Sequence, residues 1–158
     1  MREEEKLALD VYQELYEVWG LAIFDNISAA EQTHTDSVKT LLDRYDIADP
    51  AFAQPSGIFQ NADLQALYDD LVARGSASVT EALLVGAFIE ELDIADLQAR
   101  ASDEPAIALV YSNLERGSRN HLRAFIRQLQ TRDETYTPSY ISQADFDFII
   151  NSPTERGR

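Results

Sequence analysis

The sequence predicts an all-α fold, with four long helices, one short one and a long crossover between the second and third long helices. Three observations carry this. Apolar residues recur at steps of three and four over five segments, the spacing that lines one helix face. No stretch alternates apolar and polar residues for long enough to build a sheet. Capping residues and prolines fall at the segment boundaries. The chain has 158 residues, 45% apolar and 26% charged, which is ordinary globular composition. It is long enough for a proper core and reads as a single domain over residues 1–158.

Residues 2–19 form the first predicted helix, with Leu7, Val11, Leu15 and Val18 at helical spacing and Gly20 as its C-terminal cap. The second runs over about 24–45, starting at Phe24 or at Ser28, and presents Ile27, Glu31, His34, Val38, Leu41 and Tyr45. Residues 46–60 hold Pro50, Pro55 and Gly57 and form a connector. A short helix at 61–74 carries Leu64, Leu67, Leu71 and Val72 and ends at Gly75. Ser78-Val79-Thr80-Glu81 is a capping box and opens a helix over 78–101. Ser102-Asp103-Glu104-Pro105 opens the last long helix, 104–131, with acids and proline where the helix dipole and proline's missing N–H favour them. The tail, 136–158, reads as an irregular C-terminal wrap, in which 142–150 has the pattern for a turn or two anchored by Phe146, Phe148 and Ile149. One long crossover is the connectivity of ferritin-like four-helix bundles, as against simple up-and-down ones.

Thirteen basic residues stand against 28 acidic ones, a formal charge of −15. Such a field repels phosphate, so neither nucleic acid nor an anionic membrane is an expected partner. There is no cysteine, which excludes disulfides, thiolate metal clusters and thiol catalysis. No apolar run approaches the ~18 residues of a membrane span. The first residues, Met-Arg-Glu-Glu-Glu-Lys, lack a signal-peptide core. The compartment stays open between cytoplasm and, had a leader been removed, periplasm.

Written as heptad seams, the helices are interrupted by polar residues in a consistent way. In the second helix, Glu31 and His34 stand between Ile27 and Val38. In the third long helix, Glu90 stands between Ala87 and Ile94, with Asp93 one turn on. In the fourth, Ser118 and His121 interrupt the seam at the same i, i+3 spacing. Glu5 shares a face of the first helix with Ala8, Tyr12, Leu15 and Trp19. Both histidines of the chain occupy such a slot. Charged groups in a dry core cost several kcal/mol unless paired or metal-bound. A divalent or trivalent cation would relieve converging carboxylates, and a carboxylate–imidazole set suits iron, manganese, zinc or copper. Plainer readings exist for each residue. Ser28-Ala29-Ala30-Glu31 is itself a capping-box sequence. One member of Glu90-Glu91 faces inward in any buried helix. A seam histidine is often a hydrogen-bonded core residue. Tyr12 and Tyr111 are core aromatics or supports whose hydroxyls bond a ligand carboxylate.

Glu4-Glu5-Lys6-Leu7-Ala8, Asp10-Val11-Tyr12, Trp19-Gly20, Glu31-Gln32-Thr33-His34, Ile89-Glu90-Glu91 with Asp93-Ile94, and Gly117 through Phe125 together resemble the ferritin-like family known as domain of unknown function 2202. The resemblance spans nearly the whole chain, down to Tyr140-Ile141-Ser142 and Glu155-Arg156-Gly157. More distantly the pattern is similar to rubrerythrin-type di-iron bundles. That resemblance implies metal ligands at Glu5 (with Glu4 the runner-up), Glu31, His34, Glu90, Asp93 and His121. It implies a metal site, with iron first, and any reaction there would be that of a di-metal or mono-metal oxidoreductase acting with oxygen or peroxide, since carboxylate–imidazole sites keep open positions. Ser118 departs from the pattern, which wants Glu, and a hydroxyl is a poorer ligand for a hard cation. Ser118 with His121 also has the residue types of a nucleophile and base, but no oxyanion-hole motif or orienting acid accompanies them. Arg116, Arg119, Arg123, Arg127 and Arg132 are expected to meet acids from Glu3, Asp10, Glu14 or the tail. Three functions follow as alternatives: a redox metalloprotein, a metal store or buffer, which a homo-oligomer would serve, and a metal-free interaction or stress-response module held by a buried polar network.

Overall fold

The structure, a computed structural model, describes residues 1–157. Among these residues there are six α-helices and no strand: α1 (Arg2–Trp19), α2 (Ala22–Arg44), α3 (Ala62–Gly75), α4 (Val79–Ala99), α5 (Pro105–Gln130) and α6 (Gln143–Asn151). The fold is all-α, and the five expected helices are present with ends moved by at most two residues. The helical pattern read at 142–150 is present as α6, and the correction there is to one of its three expected anchors. Ser142 caps a true helix there by accepting the Asp145 N–H at 3.1 Å. Phe146 and Ile149 anchor it, whereas Phe148 remains 75% exposed. The described residues fall into two compact units, one of Met1–Val79 and one beginning at Thr80.

In the first unit α1 packs against α2 and α3. Leu7, Ala8, Val11, Tyr12 and Leu15 form the buried stripe of α1, and Phe24, Ile27, Val38 and Leu41 that of α2. Each large side chain so enclosed contributes about 1.5–3 kcal/mol. Gly20 ends α1 in the left-handed conformation, φ 62°, and donates its N–H to Tyr16 O at 2.7 Å. Gly75 ends α3 for another reason. Its α-carbon lies against Leu15, where an added Cβ would sit 2.6 Å from a methyl, and its carbonyl accepts from Trp19 Nε1 at 2.8 Å.

The crossover is tied to α1 by charge. Arg2 grips Asp49 at 3.0 and 3.2 Å. Lys6 pairs with Asp10, donates to Pro55 O at 2.9 Å and lies over the Phe59 ring at 4.4 Å. Asp10 accepts the Gly57 N–H at 2.8 Å, and Glu3 accepts from Gln60 and Asn61. Glu3, Lys6 and Asp10 are buried, and the two carboxylates satisfy backbone donors that a loop must otherwise leave to water.

In the second unit, buried residues run around most of the circumference of α4, from Ala82 to Leu97. Gly86 permits close approach of Phe125 from α5, since an added Cβ would overlap that ring. Glu104 caps α5 ahead of Pro105. Buried Arg123 donates to Ile149 O at 2.7 Å and Ser152 Oγ at 2.7 Å, which fastens α6 and the following segment to α5.

Candidate metal centre

Glu5 projects from the first turn of α1, and Glu31 and His34 from the middle of α2. The first turn of α1 is fixed against α2 by Arg2, which donates to Thr35 O at 2.8 Å. With that anchor, His34 Nδ1 lies 2.8 Å from Glu31 Oε2 and 3.3 Å from Glu5 Oε2. One donor atom from each of the three side chains lies within 4.8 Å of the others. Both carboxylates are fully buried and the imidazole is 12% exposed. Burial works to lower the His34 pKa, but hydrogen bonds to Glu31 and Glu5 and their charges outweigh it and raise it to about 10. Two carboxylates and an imidazole at this spacing fit a single transition-metal ion, and the three side chains form a group that could hold one.

The capping-box reading of Glu31 is set aside by the start of α2. The helix begins at Ala22, so Ser28 is interior and its hydroxyl donates to Asp25 O at 2.9 Å. Phe24 and Ile27, both buried, carry the helix past the serine.

In the second unit, His121 Nδ1 on α5 lies 3.4 Å from Glu90 Oε2 on α4. Glu90 is fully buried, and Asp93, one turn along α4, is buried too. Ser118 is enclosed and its hydroxyl donates to Leu114 O at 3.3 Å, so it is spent on its own helix and not poised as a nucleophile. Tyr12 is enclosed in the first unit, its ring 6.1 Å from that of Phe24. Tyr111 is partly exposed on α5.

Glu91 is the residue whose part the sequence concealed. Like Glu90 it is fully buried, but it serves the tail. Its Oε1 accepts the N–H groups of Ser139 at 2.6 Å, Tyr140, and Ile141 at 3.0 Å, and its Oε2 accepts the Tyr136 hydroxyl at 2.5 Å. The doublet Glu90-Glu91 was the available signal, since neighbouring buried acids on a helix face different directions. Of the arginines expected to meet acids, Arg119 and Arg123 find the tail, whereas Arg116 bonds Asn113 and Arg132 bonds Gln128. Arg119 holds Glu155 through two bonds of 2.8 and 2.6 Å, and Arg123 reaches the same carboxylate at 2.8 Å. Hydrogen bonds from Arg119 and then Arg123 hold the Glu155 pKa down to about 2, against the opposing effect of its partial burial. Glu3 and Asp10 are committed to the crossover instead. The spacing of Glu3, Lys6 and Asp10, on one face of α1, was the clue to that.

No helix among the described residues is long and apolar enough to cross a membrane. The profile of a family described as "Uncharacterized protein domain (DUF2202)" matches residues 1–153. The chain is 52% identical over 159 residues to the uncharacterized protein MJ0754 of Methanocaldococcus jannaschii, covering 99% of this chain and 86% of that protein. Its fold is similar to the crystal structure of hypothetical protein MJ0754 from Methanococcus jannaschii, with a TM-score of 0.96 over 98% of this chain and 90% of the other.

Proposed function

The chain belongs to the DUF2202 family of uncharacterized protein domains, and from that premise we propose that it is a ferritin-like metalloprotein. It binds one or two transition-metal ions, iron before manganese, zinc or copper, through Glu5, Glu31, His34, Glu90, Asp93 and His121. Tyr12 and Tyr111 support these ligands, while the expected support from Ser118 is withdrawn by its bond to Leu114 O. One observation carries the reading: two fully buried carboxylates from different helices converge on one imidazole nitrogen. Bringing two anions together away from water costs several kcal/mol, and a polyvalent cation offsets that cost better than one imidazolium does.

Bound iron would supply redox chemistry towards oxygen or peroxide. The chain's own residues hold the ion, fix its geometry and keep bulk water away. Because Ser118 is bonded to Leu114 O and offers no carboxylate, a second ion has fewer donors than the first. The competing reading is a metal-free network that fixes helix register. The hydrogen-bond distance of 2.8 Å between His34 Nδ1 and Glu31 Oε2 supports it, since such a bond fixes both side chains on α2.

Elemental analysis of protein purified without chelators decides between them. The metal reading expects stoichiometric metal in the parent and none in a Glu31→Ala, His34→Ala double variant. A metal-free parent whose melting is unmoved by added iron, manganese, zinc or copper sinks it. Oxygen uptake by the ferrous-loaded protein then separates a redox enzyme from a store.

A further inference from the structure

We propose that Thr35 is a positioning residue at the Glu5–Glu31–His34 group, its hydroxyl donating a hydrogen bond to the small exogenous ligand of a bound ion; this rests on the metal-binding reading above. The argument begins with the hydroxyls of α2. Ser28, Thr33, Ser37 and Thr40 each return a hydrogen bond to a backbone carbonyl three or four residues back, on Asp25, Ala29, Thr33 and Asp36. This is the ordinary fate of a helical hydroxyl. Thr35 is the exception among them. It is 5% exposed, and its Oγ1 is buried with no hydrogen-bond partner among the described residues.

Its place on the helix points to a use. Thr35 follows His34 and stands one turn beyond Glu31, so its Cβ is about 5–6 Å from that of Glu31 on the same face. The carbonyl of Thr35 is held by Arg2, whose own helix supplies Glu5 one turn on. A valine would fill the same volume without burying a hydroxyl, so the packing alone does not call for threonine. Two carboxylates and one imidazole leave coordination positions open on a transition-metal ion. A small hydrogen-bond-accepting ligand there, such as water or an inorganic anion, is the class a threonine hydroxyl would orient.

The test uses the full chain loaded with cobalt(II) and titrated with azide, followed by the visible cobalt bands, in parent, Thr35→Val and Thr35→Ser proteins. Equal cobalt stoichiometry in all three is expected, with azide bound roughly five- to tenfold more weakly in Thr35→Val, as loss of one hydrogen bond predicts, and affinity restored in Thr35→Ser. The metal-free Thr35→Val protein should melt at the parent's temperature or up to about 3 °C above it, since no protein contact is lost. Unchanged azide affinity with cobalt retained overturns this inference and leaves the metal reading standing. Loss of cobalt from Thr35→Val, or a clear fall in its metal-free melting temperature, overturns it as well, by giving the hydroxyl a structural role. A parent that takes up no cobalt sinks both readings together.

Discussion

Replacing Glu91 with alanine removes the acceptor for four donors at once: the backbone N–H groups of Ser139, Tyr140 and Ile141 and the hydroxyl of Tyr136. The carboxylate is fully buried, so water replaces it imperfectly. At about 1 kcal/mol for each donor left without its partner, the loss comes to about 4 kcal/mol. For a chain of this size that lowers the melting temperature by about 8–16 °C. Glutamine keeps one carbonyl oxygen for the three N–H groups but loses the charge that strengthens them, and should cost about half as much. Urea denaturation of both variants measures the energies. Hydrogen exchange at Ser139–Ile141 locates them, because those amides lose protection ahead of the rest of α6 and its approach. A cost below about 1 kcal/mol for Glu91→Ala, or unchanged exchange at the three amides, refutes the idea that this carboxylate fastens the tail.

Glu155 makes stability depend on acid. Its folded pKa, about 2, lies below the unfolded value, so its contribution is complete above about pH 4.5 and is lost as pH falls towards 2. Its partial exposure reduces the effect to about 1 kcal/mol, and Glu155→Gln should flatten that part of a stability-against-pH curve measured by urea melts. Gly86→Ala should destabilise by about 1–3 kcal/mol because the new methyl meets the Phe125 ring, and a Phe125→Leu partner should recover part of the loss in thermal melts. Gly20→Ala meets no neighbouring atom, yet its left-handed backbone should still cost about 1 kcal/mol by the same assay.

The helices were readable because their signals are local. Gly20, Asn61, Glu104 and Pro105 act on the turn next to them, so a boundary can be placed without knowing what packs nearby. Residues 142–150 were harder. A nine-residue helix with Phe146 and Ile149 buried depends on Arg123 and Glu91 from distant parts of the chain holding its flanks. The polar residues divided in the same way. Glu31 and His34 share one helix at i, i+3, and their proximity is a consequence of helical pitch alone. Glu90 and Glu91 are chemically identical neighbours, and nothing in their order says that one lies near His121 while the other binds a loop.

Sequence alone determined where the helices run, that thiol chemistry is excluded, and which acids and imidazoles interrupt apolar seams, since all three follow from residue identity and helical period. Tertiary structure decided that Glu5 reaches His34 across two helices, that Glu91 and Glu155 hold the tail, and that Thr35 is the one hydroxyl of α2 not turned back on its own backbone. These pairings join residues far apart in the chain. They are set by how side chains fill the space between packed helices, and no local pattern records that.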